Sequence, residues 1–95
     1  MTRPPRLDAG TVDQALAAAG SPWERQGDVL VLERRFSTFA EAIRFVDAVA
    51  LEADARDHHP DISIRYTLVR LELSTHDAGG LTELDVALAG AIASL

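Results

Sequence analysis

Cysteine does not occur in this 95-residue chain, which excludes disulfides, thiolate nucleophiles and Cys-ligated metals. Lysine is missing too: all nine cations are arginine, a usage that goes with a GC-rich bacterial genome. Fifteen Asp and Glu outweigh them and leave a net charge of −6. A domain of that sign repels a phosphate backbone, and no basic run stands beside aromatics, so no nucleic-acid partner is expected. No apolar run approaches the ~20 residues a bilayer span needs, and "MTRPPRLDAG" lacks the apolar stretch of a secretory signal. A cytoplasmic location without a membrane partner is the default expectation. Aromatics make up only 5%, and histidine occurs three times.

What is present is ordinary globular composition, 47% apolar and 25% charged, at a length that suits one domain over residues 1–95. Asp8 is placed to cap a helix over about 9–19, with Val12, Ala15, Leu16 and Ala19 on one face and Gly20 at its end. A short strand follows around Trp23, then a turn at Gln26-Gly27-Asp28 and a second strand from Val29 to Phe36. Thr38 and Glu41 form a T-x-x-E box that opens the longest helix, about 39–56. Its apolar face reads Phe39, Ala42, Ile43, Val46, Val49, Ala50 and Ala53.

Two alternating segments come next. Ile62, Ile64 and Tyr66 alternate with Ser63 and Arg65, and Val69, Leu71 and Leu73 with Arg70, Glu72 and Ser74. They read as half-buried strands joined near Thr67-Leu68, with Tyr66 packing into the core beside Ile62 and Ile64. Thr82 then caps a last helix whose inner face carries Leu84, Leu88, Ala91, Ile92 and Leu95, with Leu81 and Val86 as its hydrophobic staple. The order α-β-β-α-β-β-α predicts an α+β fold: a four-stranded antiparallel sheet with three helices packed on one face.

The histidines fall at "DHHPDISIRY" and "STHDAGG". His58 and His59 stand where a helix gives way to a strand, and His76 stands at the far end of the last strand. If those strands pair as a hairpin, the start of one lies beside the end of the other. All three imidazoles then meet at one corner, with Asp54, Asp57, Asp61 and Asp77 nearby. Two chemistries fit such a cluster. One is a metal site of imidazoles and a carboxylate, as in a small metal-dependent hydrolase or lyase, although neighbouring side chains of an extended H-H pair diverge. The other is metal-free proton transfer between imidazoles of pKa near ~6.5, which suits an elimination of water.

The pattern Asp54-x3-His58-His59-Pro60-x5-Tyr66-x9-His76-x8-Asp85 resembles the signature of the pterin-4a-carbinolamine dehydratases. "TFAEAIRFVDAVA" and "STHDAGGLTELD" are also similar to that family's segments. The resemblance runs from about Trp23 to the C-terminus. It implies the fold derived above and an enzyme, a hydro-lyase that takes water from 4a-hydroxytetrahydropterin to give quinonoid dihydropterin in tetrahydropterin recycling. It implies neither metal nor organic cofactor. Asp57, His58 and His59 would line one side of the pterin, and Ser74, Thr75, His76 and Asp77 the other. His59 and His76 would form the main proton-transfer pair, with His58 orienting the substrate or assisting.

Asp54, Pro60 and Asp85 would support the site, Pro60 by holding the pair's backbone extended and Asp85 also as the carboxylate partner in the cap of the last helix. Two departures stand out: Asp54 where glutamate is common, and Leu84 where many members carry arginine. The family also implies a homodimer or homotetramer, which would cover exposed sheet edges. Its non-catalytic members, binding or assembly factors, are the alternative, but such relatives tend to lose the histidine set that is complete here.

Overall fold

In the computed structural model, residues 4–95 are described; the first three residues of the proline-rich lead, and the part of the signal-peptide argument that falls on them, lie outside these. Eight elements follow one another: α1 (Ala9–Ala19), β1 (Glu24–Gln26), β2 (Val29–Arg35), α2 (Phe39–Arg56), β3 (Asp61–Arg65), β4 (Leu68–Leu73), a 3-10 turn (His76–Ala78) and α3 (Glu83–Ala93). The strands form one antiparallel sheet in the order β1-β2-β4-β3. This is the three-helix, four-stranded α+β architecture predicted from the order of elements. Among the described residues no helix is long and apolar enough to cross a membrane.

Register sorts the side chains by face. Leu30 opposes Leu73 and Leu32 opposes Leu71 across β2 and β4. These residues are buried with Val69, and they pack against Val12 of α1, Ala42, Phe45, Val49 and Ala53 of α2, and Leu88, Ala89 and Ile92 of α3. Each fully buried leucine or isoleucine contributes roughly 1.5–3 kcal/mol. The opposite face is polar: Arg70 on β4 sits opposite Glu33 and beside Glu72, at 3.6 and 3.2 Å.

Both long N-terminal helices begin on a side-chain oxygen. Asp8 accepts from the N–H of Thr11 at 2.7 Å, and Thr38 accepts from that of Glu41 at 3.1 Å. They also end alike. After α1 the N–H of Ser21 reaches the carbonyl of Leu16, and after α2 the N–H of His58 reaches that of Ala53. This closing motif needs a left-handed residue, supplied by Gly20 (φ 59°) in the first case and by Asp57 (φ 48°) in the second.

Four expectations about burial change. The β3–β4 loop is Tyr66-Thr67, because Arg65 pairs with Leu68. Tyr66 is therefore a turn residue at φ 54° and 74% exposed, not a core residue. Every residue of β3 is exposed, since β3 is an edge strand and the helices do not reach over it. On α2 the buried aromatic is Phe45, while Phe39 at the first turn is half exposed. On α3 the inward residues are Asp85, Leu88, Ala89 and Ile92; Leu84 is only partly covered and Leu95 lies beyond the helix.

α1 also makes electrostatic contacts that titrate. The backbone N–H of Thr11 holds Asp8 below the 3.8 of a free aspartate, and the Arg25 guanidinium holds Asp13 below it too, through contacts of 2.7 and 3.1 Å. A lowered carboxylate pKa contributes stability that is complete above the unfolded value and is lost as pH falls through the folded one. The Asp8→Ala/Asp13→Asn variant should therefore melt a few degrees below the wild type at pH 7. That gap should close on acidification below 3.8. Thermal melts across the pH range check this; a gap that persists in acid would contradict it.

Candidate functional site

Asp57 is the first piece of the site. Its left-handed backbone stops α2 and turns the chain so that His58 and His59 leave the helix in different directions. The hairpin brings the second piece. Asp61 at the start of β3 sits opposite Glu72 near the end of β4, so the residues before β3 and after β4 are neighbours. A hollow of about 600 Å³ opens between them. Its walls include Asp57, His58, His59, Ser74, Thr75, His76 and Asp77, so the seven residues expected to contact a ligand share one cavity. Among the described residues, no cluster of three His, Asp or Glu side chains has the geometry to hold a metal ion.

The three imidazoles differ in their partners. His58 is nearly enclosed, its side chain 11% exposed, and its Nε2 lies 2.6 Å from Oδ1 of Asp85. His59 is 55% exposed, and its Nε2 lies 2.9 Å from Oδ1 of Asp54. The shorter aspartate at position 54 therefore still reaches its histidine. His76 is exposed at the start of the 3-10 turn.

Asp85 is fully buried, and its hydrogen bonds fix the surrounding protons. Its Oδ2 accepts from the backbone N–H of Thr82 at 2.9 Å and from the hydroxyl of Thr75 at 2.7 Å. Since the Thr75 hydroxyl proton is committed, the 2.8 Å contact between Thr75 and Thr82 is a bond donated by Thr82. The Thr82 oxygen in turn accepts from the N–H of Leu84. A carboxylate only accepts, so the His58 nitrogen facing it carries a proton. Asp85 thus serves the capping box of α3, anchors the strand end that carries His76, and sets the tautomer of His58.

Of the remaining expected residues, Thr75 is buried and its hydroxyl is spent on Asp85. Asp54, Pro60 and Asp85 lie outside the lining and act through their neighbours. Sequence reasoning missed two residues of the wall, Arg56 and Pro4, and assigned Leu84 to the core although it lines the hollow. Arg56 puts a cation on the wall of the hollow, where position 84 holds a leucine. It reaches the cavity from the last turn of α2, where Glu52 pairs with it one turn earlier. Its position two residues before the histidine pair was the available signal.

The proline-rich lead borders the hollow through Pro4 and is tied down by the Leu7 N–H on the Leu81 carbonyl at 2.8 Å. Arg6 lies so close over Gly80 that a Cβ there would sit 2.6 Å from its Nε. Gly80 in turn closes the His76 loop by accepting from the N–H of Thr75 at 2.9 Å.

Two substitutions test this geometry through stability alone. Asp57→Gly should raise the free energy of unfolding by up to ~1 kcal/mol, because it removes a side chain from a left-handed position. Asp85→Asn offers one oxygen where two accept, so its amide nitrogen must face a donor. It should cost about 1–3 kcal/mol and move the His58 proton to Nδ1, the one escape open to that ring. Urea melts and imidazole nitrogen NMR read the two effects. An unchanged His58 tautomer in Asp85→Asn would show that the carboxylate does not set it.

The family described as Pterin 4 alpha carbinolamine dehydratase matches residues 5–95. A protein of Thermomicrobium roseum, provisionally named pterin-4-alpha-carbinolamine dehydratase, is 51% identical over 90 residues, covering 95% of this chain and 96% of its own. One from Chloroflexus aurantiacus with the same provisional name is 50% identical over 88 residues, covering 93% and 94%. Among solved structures, a transcriptional coactivator/pterin dehydratase from Brucella melitensis superposes with a TM-score of 0.83 at 33% identity, over 93% of this chain and 98% of that one. A pterin dehydratase-like protein, described as a RuBisCO assembly factor in the alpha-carboxysome, gives 0.66 at 25% identity over 80% and 90%. With its fold and nearly its whole length matched, the chain belongs to the pterin-4-alpha-carbinolamine dehydratase family, a family of hydro-lyases.

Proposed function

We propose that the chain dehydrates 4a-hydroxytetrahydropterin to quinonoid dihydropterin by histidine acid–base catalysis, as a cytoplasmic step in tetrahydropterin recycling. The observation that carries this is the meeting of all three imidazoles on one ligand-sized hollow. In the reaction the proton on ring N5 leaves, its electron pair forms the N5=C4a double bond, and the C4a–O bond breaks. The departing hydroxyl takes up a proton and leaves as water. One group must accept a proton while another donates one, and imidazoles of pKa near ~6.5 do both at neutral pH.

The different surroundings of the rings support a division of labour. His59 and His76 are exposed to the hollow and form the proton-transfer pair. His58, held by a buried carboxylate, is fixed in direction and orients the substrate. Asp57, Ser74 and Asp77 add polar groups for the pterin ring on the two walls, and Thr75 holds its wall in place through Asp85. Asp54 holds the ring of His59 from the solvent side. The chain works as an even-numbered homo-oligomer, since the β3 edge otherwise leaves Ile62 and Ile64 39% and 37% exposed.

A second reading is favoured by one observation: a solved neighbour of the same frame is described as an assembly factor. In that case the hollow would be a relic without turnover. Decay of a 4a-carbinolamine followed by absorbance separates the two. Wild type should accelerate it, and His59→Ala and His76→Ala should each lose about 10²–10⁴-fold of the enzymatic rate, the usual share of one acid or base. Chelator should leave the rate unchanged, which a metal-dependent mechanism would not allow. Folded variants with undiminished rates would refute the assigned pair.

A further inference from the structure

Two glycines follow the 3-10 turn of His76, for different physical reasons. Gly79 ends the turn at φ 71°, a left-handed conformation that suits glycine. Gly80 is buried and has no positive φ, so its backbone conformation does not call for glycine. Space does. A Cβ on Gly80 would lie 2.6 Å from Nε of Arg6, 3.1 Å from Cζ and 3.2 Å from Cδ. The Arg6 side chain therefore lies directly on the Gly80 backbone. Its far end is fixed as well: Nη2 donates to Oδ1 of Asp28 at 2.7 Å, in the turn between β1 and β2.

What Arg6 covers is the base of the loop that carries His76. Thr75 and Gly80 form an isolated antiparallel bridge with bonds of 2.9 and 3.4 Å, and His76 to Gly79 arch out from it. On one side of the bridge, Asp85 holds the Thr75 hydroxyl at 2.7 Å. On the other side, Gly80 has no side chain to bond, and Arg6 supplies the contact. We infer that Arg6, seated on Gly80 and anchored by Asp28, is the second clamp of this loop and a positioning residue for His76. The inference rests on the dehydratase reading above, in which His76 exchanges protons with the substrate. The clamp suits placement more than folding. Arg6 and Asp28 are 53% and 64% exposed, and so open an ion pair adds little to stability. Catalysis is more sensitive, since a misplacement of ~1 Å can cost ~10²-fold in rate.

Three variants of the full chain test the clamp. Arg6→Ala removes the guanidinium, and Asp28→Ala removes its anchor. Gly80→Ala leaves the charge of Arg6 in place and only denies it the seat, which separates contact from field. Each should lower kcat roughly 5- to 50-fold, with KM changed less than ~3-fold. The melting temperature should move by less than ~5 °C. The double variant Arg6→Ala/Gly80→Ala should be no slower than either parent, because the methyl group at position 80 then has no guanidinium to displace. Wild-type kcat in Arg6→Ala or in Gly80→Ala would overturn the inference. So would a Gly80→Ala that does equal harm with and without Arg6, since the loop itself would then require the glycine.

Imidazole NMR gives a reading that does not depend on turnover. The His76 resonances should shift in each of the three variants, while those of His58, held by Asp85, stay in place. Unmoved His76 resonances in Arg6→Ala would overturn the inference even if kcat fell. If the wild type does not accelerate carbinolamine decay at all, the dehydratase reading fails instead. The NMR comparison then still decides whether Arg6 places His76.

Discussion

A carboxylate shut away from water must be surrounded by donors, because burying its charge without them costs several kcal/mol (~). Asp85 meets this requirement with three groups from three parts of the chain: the N–H at the start of α3, the hydroxyl at the end of the β4 segment, and the imidazole that follows α2. The site depends on that convergence. The strand end that carries His76 and the helix end that carries His58 are fixed to the same two oxygens. A shift of either element leaves a buried charge short of a donor. The carboxylate therefore makes correct folding and correct placement of the imidazoles one condition.

The two histidines of the adjacent pair are consequently not equivalent. One faces a carboxylate with no solvent around it and the other a carboxylate that is 76% exposed. Low dielectric strengthens the first contact and water screens the second, so His58 is the rigid ring and His59 the adaptable one. A ring that passes protons must exchange them with the substrate and then with water, and exposure suits it for that. The two non-glycine residues at positive φ bracket β3: Asp57 precedes the histidine pair before it, and Tyr66 stands in the turn after it. Each marks a point where the chain reverses direction.

Much of this was legible in the sequence, because short-range chemistry writes it there. Asp8 and Gly20 bound α1, Thr38 and Glu41 open α2, and Thr82 with Asp85 forms a capping box whose spacing alone identified it. The clustering of the histidines also followed from a local argument, the pairing of two consecutive strands. What was not legible depended on sheet order. Alternation marks Ile62, Ile64 and Tyr66 as one face, but it does not say that β3 lies at an edge, beyond the cover of the helices. A turn one residue earlier than expected then moved Tyr66 out of the strand altogether. Phe45 and Arg56 were missed for the opposite reason: each is one position on a helix whose facing depends on which neighbours dock against it.

The wider frame does not itself dictate chemistry. Solved structures that share it are described as a coactivator/pterin dehydratase and as an assembly factor, so helices and sheet are common to different roles. What distinguishes one role from another must lie in the few side chains that the frame presents. In this chain those are one enclosed ring, two exposed rings and carboxylates on both walls, with a single arginine entering from α2 instead of α3. The arginine illustrates how such a site tolerates change. The field of a charge falls off slowly, so an arginine on a neighbouring element acts on the same hollow from a different backbone position. Hydrogen-bond geometry has no such latitude, since it weakens within a few tenths of an ångström. Position 84 can therefore carry a leucine on the wall of the hollow, while the aspartate beside it is tied to its place by three hydrogen bonds.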